Sequence, residues 1–146
     1  MKKKAVLIAV LSLILLIAVI LVINRESSPS YLRIIELNWN ISFPINCEEI
    51  YQIDSGASFH GDGLRYHVFK YDADITLNDF IPEQEISEDN IERISNVLSS
   101  LHVKNEFYPD FNNITLGTVQ KQSDNSKLYL CYTMSQRTLY VIEDIY

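Results

Sequence analysis

The sequence predicts an α+β protein: one N-terminal transmembrane helix followed by a small domain with a mainly antiparallel sheet and one principal helix. Three observations carry this reading. Residues 5–23 hold eighteen apolar residues and one Ser, Ser12. Behind Ser87, the apolar residues Ile91, Ile94, Val97, Leu98 and Leu101 recur at helical spacing. Elsewhere, aromatic and β-branched residues alternate with polar ones in short runs divided by turn-forming residues.

The apolar run comes first in the chain. As a helix it covers about 28 Å, close to the roughly 30 Å of hydrocarbon in a bilayer. It is longer than the roughly 7–15 apolar residues of a signal peptide, and no A-x-A-like cleavage site follows it. It is apolar on every side, whereas a soluble helix keeps a polar face. Residues 1–4 therefore read as a basic flank, 5–24 as a signal-anchor helix, 25–30 as a tether and 31–146 as an extracytoplasmic domain. Lys2, Lys3 and Lys4 precede the span and only Arg25 closely follows it. The positive-inside bias then predicts a cell-membrane protein with a cytoplasmic amino terminus. Its first partner is the lipid bilayer, through residues 5–23. A cleaved, secreted domain is the alternative.

The whole-chain averages, a net charge of −7 and a mean hydropathy of +0.01, describe neither part. All nineteen acids lie beyond the apolar run, against nine bases, so the outer part carries −10. That balance excludes a polybasic nucleic-acid binder, and a single span excludes a multi-spanning transporter.

Within the outer part, residues 35–43 are apolar at every odd position, which predicts a strand over 31–43 ended by Pro44. Residues 48–54 predict a second strand, with ambiguous alternation at Ile50 and Tyr51. Residues 64–71 predict a third. It carries Leu64, Tyr66 and Val68 on one face and Arg65, His67, Phe69 and Tyr71 on the other, so it belongs inside the sheet. Leu77–Ile81 reads as a short helical turn closed by Pro82. The principal helix starts at Ser87, a good N-cap, with Glu88 and Asp89 placed where the helix dipole favours acids. A meander follows: a strand over 114–121, a turn at 123–126, a strand over 127–134, a turn at 135–137 and a last strand over 138–146.

Three features bear on function. Residues 56–63 contain three of the four glycines, together with His60 and Asp62, and Asp54 and His67 flank them. These four residues are the ligand-binding candidates, on a loop that could instead be a plain hairpin connection, since Asp-Gly is a favoured turn pair. Zinc needs three or four ligands, and no such spacing occurs, so neither a metal nor another cofactor is expected. Eight acids between Asp72 and Glu92 face no base, but they lack the calcium-loop pattern and read as a solvated surface. Cys47 and Cys131 are the only cysteines. They either form a disulfide, as an extracytoplasmic location permits, or pack separately as small hydrophobes.

No nucleophile, metalloprotease or phosphate-loop motif occurs. The leading expectation is a single-pass membrane-anchored protein whose outer domain binds a protein or envelope component, as an accessory or immunity-like module and not an enzyme. The competing expectation is a membrane-tethered hydrolase or metal-dependent site built on the loop around His60 and Asp62.

Overall fold

The computed structural model describes residues 12–14, 31–44, 46–56, 62–77, 83–84, 87–120 and 123–146. The chain divides into two compact units, residues 1–34 and 35–146. In the first, residues 12–14 are helical, with Leu13 and Ile14 exposed. The rest of the apolar run and the tether lie outside the described residues. Among the described residues, no helix is long and apolar enough to cross a membrane.

The second unit is built on one antiparallel sheet. Its strands are β1 (Cys47–Asp54), β2 (Gly63–Tyr71), β3 (Glu83–Gln84), β4 (Thr115–Gln120), β5 (Lys127–Thr133) and β6 (Thr138–Ile145). They lie in the order β1-β2-β6-β5-β4-β3, each neighbouring pair antiparallel. The C-terminal meander forms as the alternation predicts. The β4–β5 turn closes when the Asp124 carboxylate accepts the Ser126 N–H at 2.9 Å, and the β5–β6 turn closes through Arg137 in the left-handed region at φ 51°. The expected short helical turn after Leu77 lies mostly outside the described residues. The two-residue β3 is an element the sequence pattern does not announce.

The principal helix (Glu88–Ser100) packs on one face of the sheet. Its buried Ile94, Val97 and Leu98 meet Tyr66, Val68, Leu116, Tyr129, Cys131, Tyr140 and Ile142. Ser87 caps it, its hydroxyl accepting the Asn90 N–H at 3.2 Å. At the other end His102 takes φ 55°, its N–H bonds to the Ser99 carbonyl, and the Val103 N–H reaches back to the Leu98 carbonyl. This is a Schellman closure, sealed by the apolar pair Leu98 and Val103. The position in the left-handed region is usually Gly, and here it is His.

The opposite face of the sheet is equally apolar. Phe69, Leu128, Leu130, Tyr132, Leu139 and Val141 are all buried there. A second helix and the segment 72–77 cover it. Residues 31–39, expected as a strand, are α-helical (Tyr31–Trp39), and the helix is numbered α1 in chain order, with Glu88–Ser100 as α2. Both periods fit this stretch: Ile35, Leu37, Trp39, Ile41 and Phe43 suit a strand, and Leu32, Ile35 and Trp39 suit a helix. Burial follows the helical set, while Leu37 is 73% exposed. Leu, Arg and Glu within the segment favour the helix, and Asn40 ends it at φ 53°, which Asn tolerates. The domain therefore has a helix on each face of its sheet, one more than expected.

The indole N–H of Trp39 donates to the carboxylate of Glu143 on β6 at 2.6 Å, and both residues are buried. Trp39→Phe is expected to lower stability by about 1.5–3 kcal/mol, since it strips a charged acceptor of a donor inside the protein. Urea unfolding of the purified chain measures this. The reverse sign is expected for His102→Gly, which removes the side chain from a left-handed backbone position and should raise stability by about 0.5–1 kcal/mol in the same assay.

Candidate functional site

The glycine-rich loop joins β1 to β2, and its described ends are tied as a hairpin. The Ser55 N–H donates to the Leu64 carbonyl at 2.9 Å, and the Leu64 N–H donates to the Ser55 hydroxyl at 3.0 Å. Asp54 folds onto the loop, its carboxylate accepting the Gly56 N–H at 2.7 Å. Gly63 has φ 136°, and a Cβ there would stand 2.5 Å from the Ser55 hydroxyl, so this position needs glycine. Asp62 is exposed. His60 lies outside the described residues.

His67 does not face the loop. It lies four residues into β2, buried, on the face that α1 covers. Its Nδ1 meets the Glu49 carboxylate at 2.5 Å, and its ring lies parallel to Phe69 with centroids 6.1 Å apart. A β-bulge at Ile50 makes this pair. Cys47 and Glu49 pair with Tyr71 and Phe69, but after the bulge Tyr51 and Ile53 pair with Val68 and Tyr66. Odd positions of β1 thus switch faces at residue 50. Glu49 is delivered to His67, and Tyr51 is sent to the α2 side, where it stacks on Phe107 at 4.1 Å.

A second polar group lies beside this pair. Asp54, Arg65 and Glu143 are successive cross-strand neighbours on β1, β2 and β6. Such neighbours approach to roughly 4.5–5.5 Å at Cβ, so acid, base and acid form a row on one face. Trp39 closes the row over Glu143. The structure therefore brings Asp54 and His67 onto one face of the hairpin. It adds Glu49, Arg65, Trp39 and Glu143, which belong to no sequence motif. Glu143 carries a signal that could have found it: it continues the apolar set Leu139 and Val141 on one face of the last strand, where an acid is out of place. Glu49 carries none, because its direction depends on the bulge.

Chemically, the row and the pair join elements. His67 and Glu49 fasten β1 to β2. Glu143 holds α1 through the Trp39 indole. Among the described residues, no group of three or more His, Cys, Asp or Glu side chains is placed to hold a metal ion.

Comparison with protein-family models, curated proteins and solved structures returns nothing similar.

Cys47 and Cys131 are free thiols. β2 and β6 separate their strands, a distance of about 14 Å across three strand spacings. Cys131 lies on the α2 face and Cys47 on the other. A bridge needs Cα atoms within about 7 Å, so the separate-thiol alternative is the one realised. The acidic stretch is partly paired: Asp74 accepts from the Arg137 guanidinium at 2.9 Å, which also donates to the Asp72 carbonyl at 3.0 Å. Glu88 and Asp89 occupy the first turn of α2. Five of the nine tyrosines, Tyr66, Tyr71, Tyr129, Tyr132 and Tyr140, are buried, all of them on strands of the sheet.

Burial pushes the Cys131 thiol up from its ordinary value to about 12. Tyr66 and Tyr71 are raised by burial as well. Each group keeps its proton in the fold beyond the pH at which the unfolded chain releases it. Stability from these groups is full below about pH 9 and is lost as pH rises toward 12. The melting temperature is expected to fall across that window, less steeply in Cys131→Ala. Thiol titration of the denatured chain without reductant should count both cysteines.

Proposed function

We propose that this chain is a single-pass membrane protein, amino terminus in the cytoplasm, whose residues 31–146 form an extracytoplasmic accessory or immunity-like domain that engages a protein or envelope component. The observation that carries the reading is the apolar run 5–23, preceded by Lys2, Lys3 and Lys4 and followed by a domain of net charge −10. The exposed, helical Leu13 and Ile14 within that run support it, because uncovered apolar side chains suit a lipid environment. A binding role is supported by the use of the hairpin's polar groups. Asp54 closes the loop, and His67 and Glu143 hold elements together.

Alkaline carbonate extraction is expected to leave the full chain in the membrane pellet and to release a chain that begins at Arg25. Protease added to intact cells should degrade residues 31–146. Recovery of the full chain in the soluble fraction, or protection of the domain until lysis, would overturn the proposal. Chemical cross-linking on intact cells should trap a discrete larger species, and a chain found only in uncross-linked form would remove the binding role.

A further inference from the structure

α2, the start of β5 and the end of β6 frame an open cleft of about 390 Å³, lined by Arg93, Asp124, Asn125, Lys127, Asp144 and Tyr146. Lys127 and Asp144 are cross-strand partners. They lie two residues beyond the pair Tyr129 and Ile142, and so on the face that α2 covers. Arg93 reaches the cleft from α2, one residue before the buried Ile94. Burial pushes the Tyr129 phenol up, and Arg93, Asp144 and Tyr146 each act on it as well, so three of the lining groups converge on one side chain. The turn at the rim is held by its own bonds, with Asp124 accepting the Ser126 N–H and Asn125 at φ 62°. Ser126 is fully buried, and its hydroxyl accepts the Tyr146 N–H at 3.0 Å. Tyr146 therefore combines a tied backbone with a side chain that is 70% exposed.

From these observations we infer that the cleft binds a pyranose ring of an uncharged glycan chain. The inference rests on the reading of the domain as a module for an envelope component, and makes that component specific. A sugar ring has an apolar face of C–H bonds and a rim of hydroxyls, each both donor and acceptor. The exposed Tyr146 ring offers a flat apolar surface to the first. Arg93 and Lys127 donate, Asp124 and Asp144 accept, and Asn125 does both, which matches the second. The two bases and two acids sum to zero on a domain of net charge −10. An anion would meet both carboxylates and a cation both bases, so the lining favours a ligand without charge. A peptide finds less here. β5 and β6 each have strand neighbours on both sides, so their backbone is committed. Among the described residues that line the cleft, Tyr146 alone offers an apolar surface to an anchoring side chain.

The test uses the full chain in phosphatidylcholine nanodiscs, free of sugar-based detergent. Maltotetraose, cellotetraose and chitotetraose are the probes, and saturation-transfer NMR reads contact at their ring C–H groups. Saturable transfer to at least one probe is expected, with a Kd in the millimolar range or tighter. Tyr146→Leu should weaken it about fivefold or more, whereas Tyr146→Phe, which keeps the ring, should change it less than about twofold. Met134→Ala, at an exposed residue beyond the opposite end of β5, should leave it unchanged. Absence of transfer to all three probes, or binding that Tyr146→Leu leaves intact, would overturn the glycan site. Displacement of the bound probe by inorganic phosphate or diglycine would overturn the preference for an uncharged ligand. Failure here beside an intact cross-linked species on cells strikes the glycan alone, and failure of both removes the binding role.

Discussion

The sheet of this protein is apolar on both faces, and the remaining architecture answers that constraint. Tyr66, Val68, Tyr140 and Ile142 point one way and Phe69, Leu139 and Val141 the other, so β2 and β6 cannot leave either side to water. Each buried aliphatic or aromatic side chain contributes about 1.5–3 kcal/mol relative to exposure, and both faces hold several. α2 satisfies one face with a regular amphipathic stripe. The other face is covered by pieces: the short α1, the extended residues that follow it, and segment 72–77, whose Ile75 N–H bonds to the Tyr132 hydroxyl at 3.2 Å.

A short helix laid on a greasy surface has little to fix its position, because apolar contact is non-directional. The Trp39–Glu143 bond supplies direction. Its acceptor is buried, so sliding α1 by one turn would leave the carboxylate without the indole donor inside the protein, at a cost comparable to the packing gained. On the other edge of the same face, the bulge at Ile50 and the Glu49–His67 pair fix the register of β1 against β2. Polar groups here set positions that hydrophobic burial alone leaves open.

Legibility in the sequence follows the range of the forces involved. The α2 stripe, its Ser87 cap and the three meander strands are local patterns, and they form where their residues indicate. The helix at Tyr31–Trp39 was hidden because its residues satisfy two periods together, and the choice between them depends on which face of a distant sheet needs covering. The ambiguous alternation at Ile50 and Tyr51 was itself the trace of the bulge, though not readable as one. The loop candidates divide the same way. Asp54 acts within two residues of its own position, on the Gly56 N–H. His67 is committed to a carboxylate eighteen residues earlier in the chain. Glu143 finds its donor 104 residues away. Neither partner can be located without the strand order.

The bulge at Ile50 has a consequence beyond the faces it rearranges. β1 is an end strand of the sheet and runs eight residues, long enough to offer a neighbouring molecule a template for strand addition. An unbroken row of free amides and carbonyls at such an edge invites chain-to-chain pairing. The extra residue interrupts that row near its middle and bends the strand, while the exposed Glu48 and Asp54 set like charges on either side. Wherever copies of this chain meet at high concentration, such an edge keeps each copy from zipping onto the next.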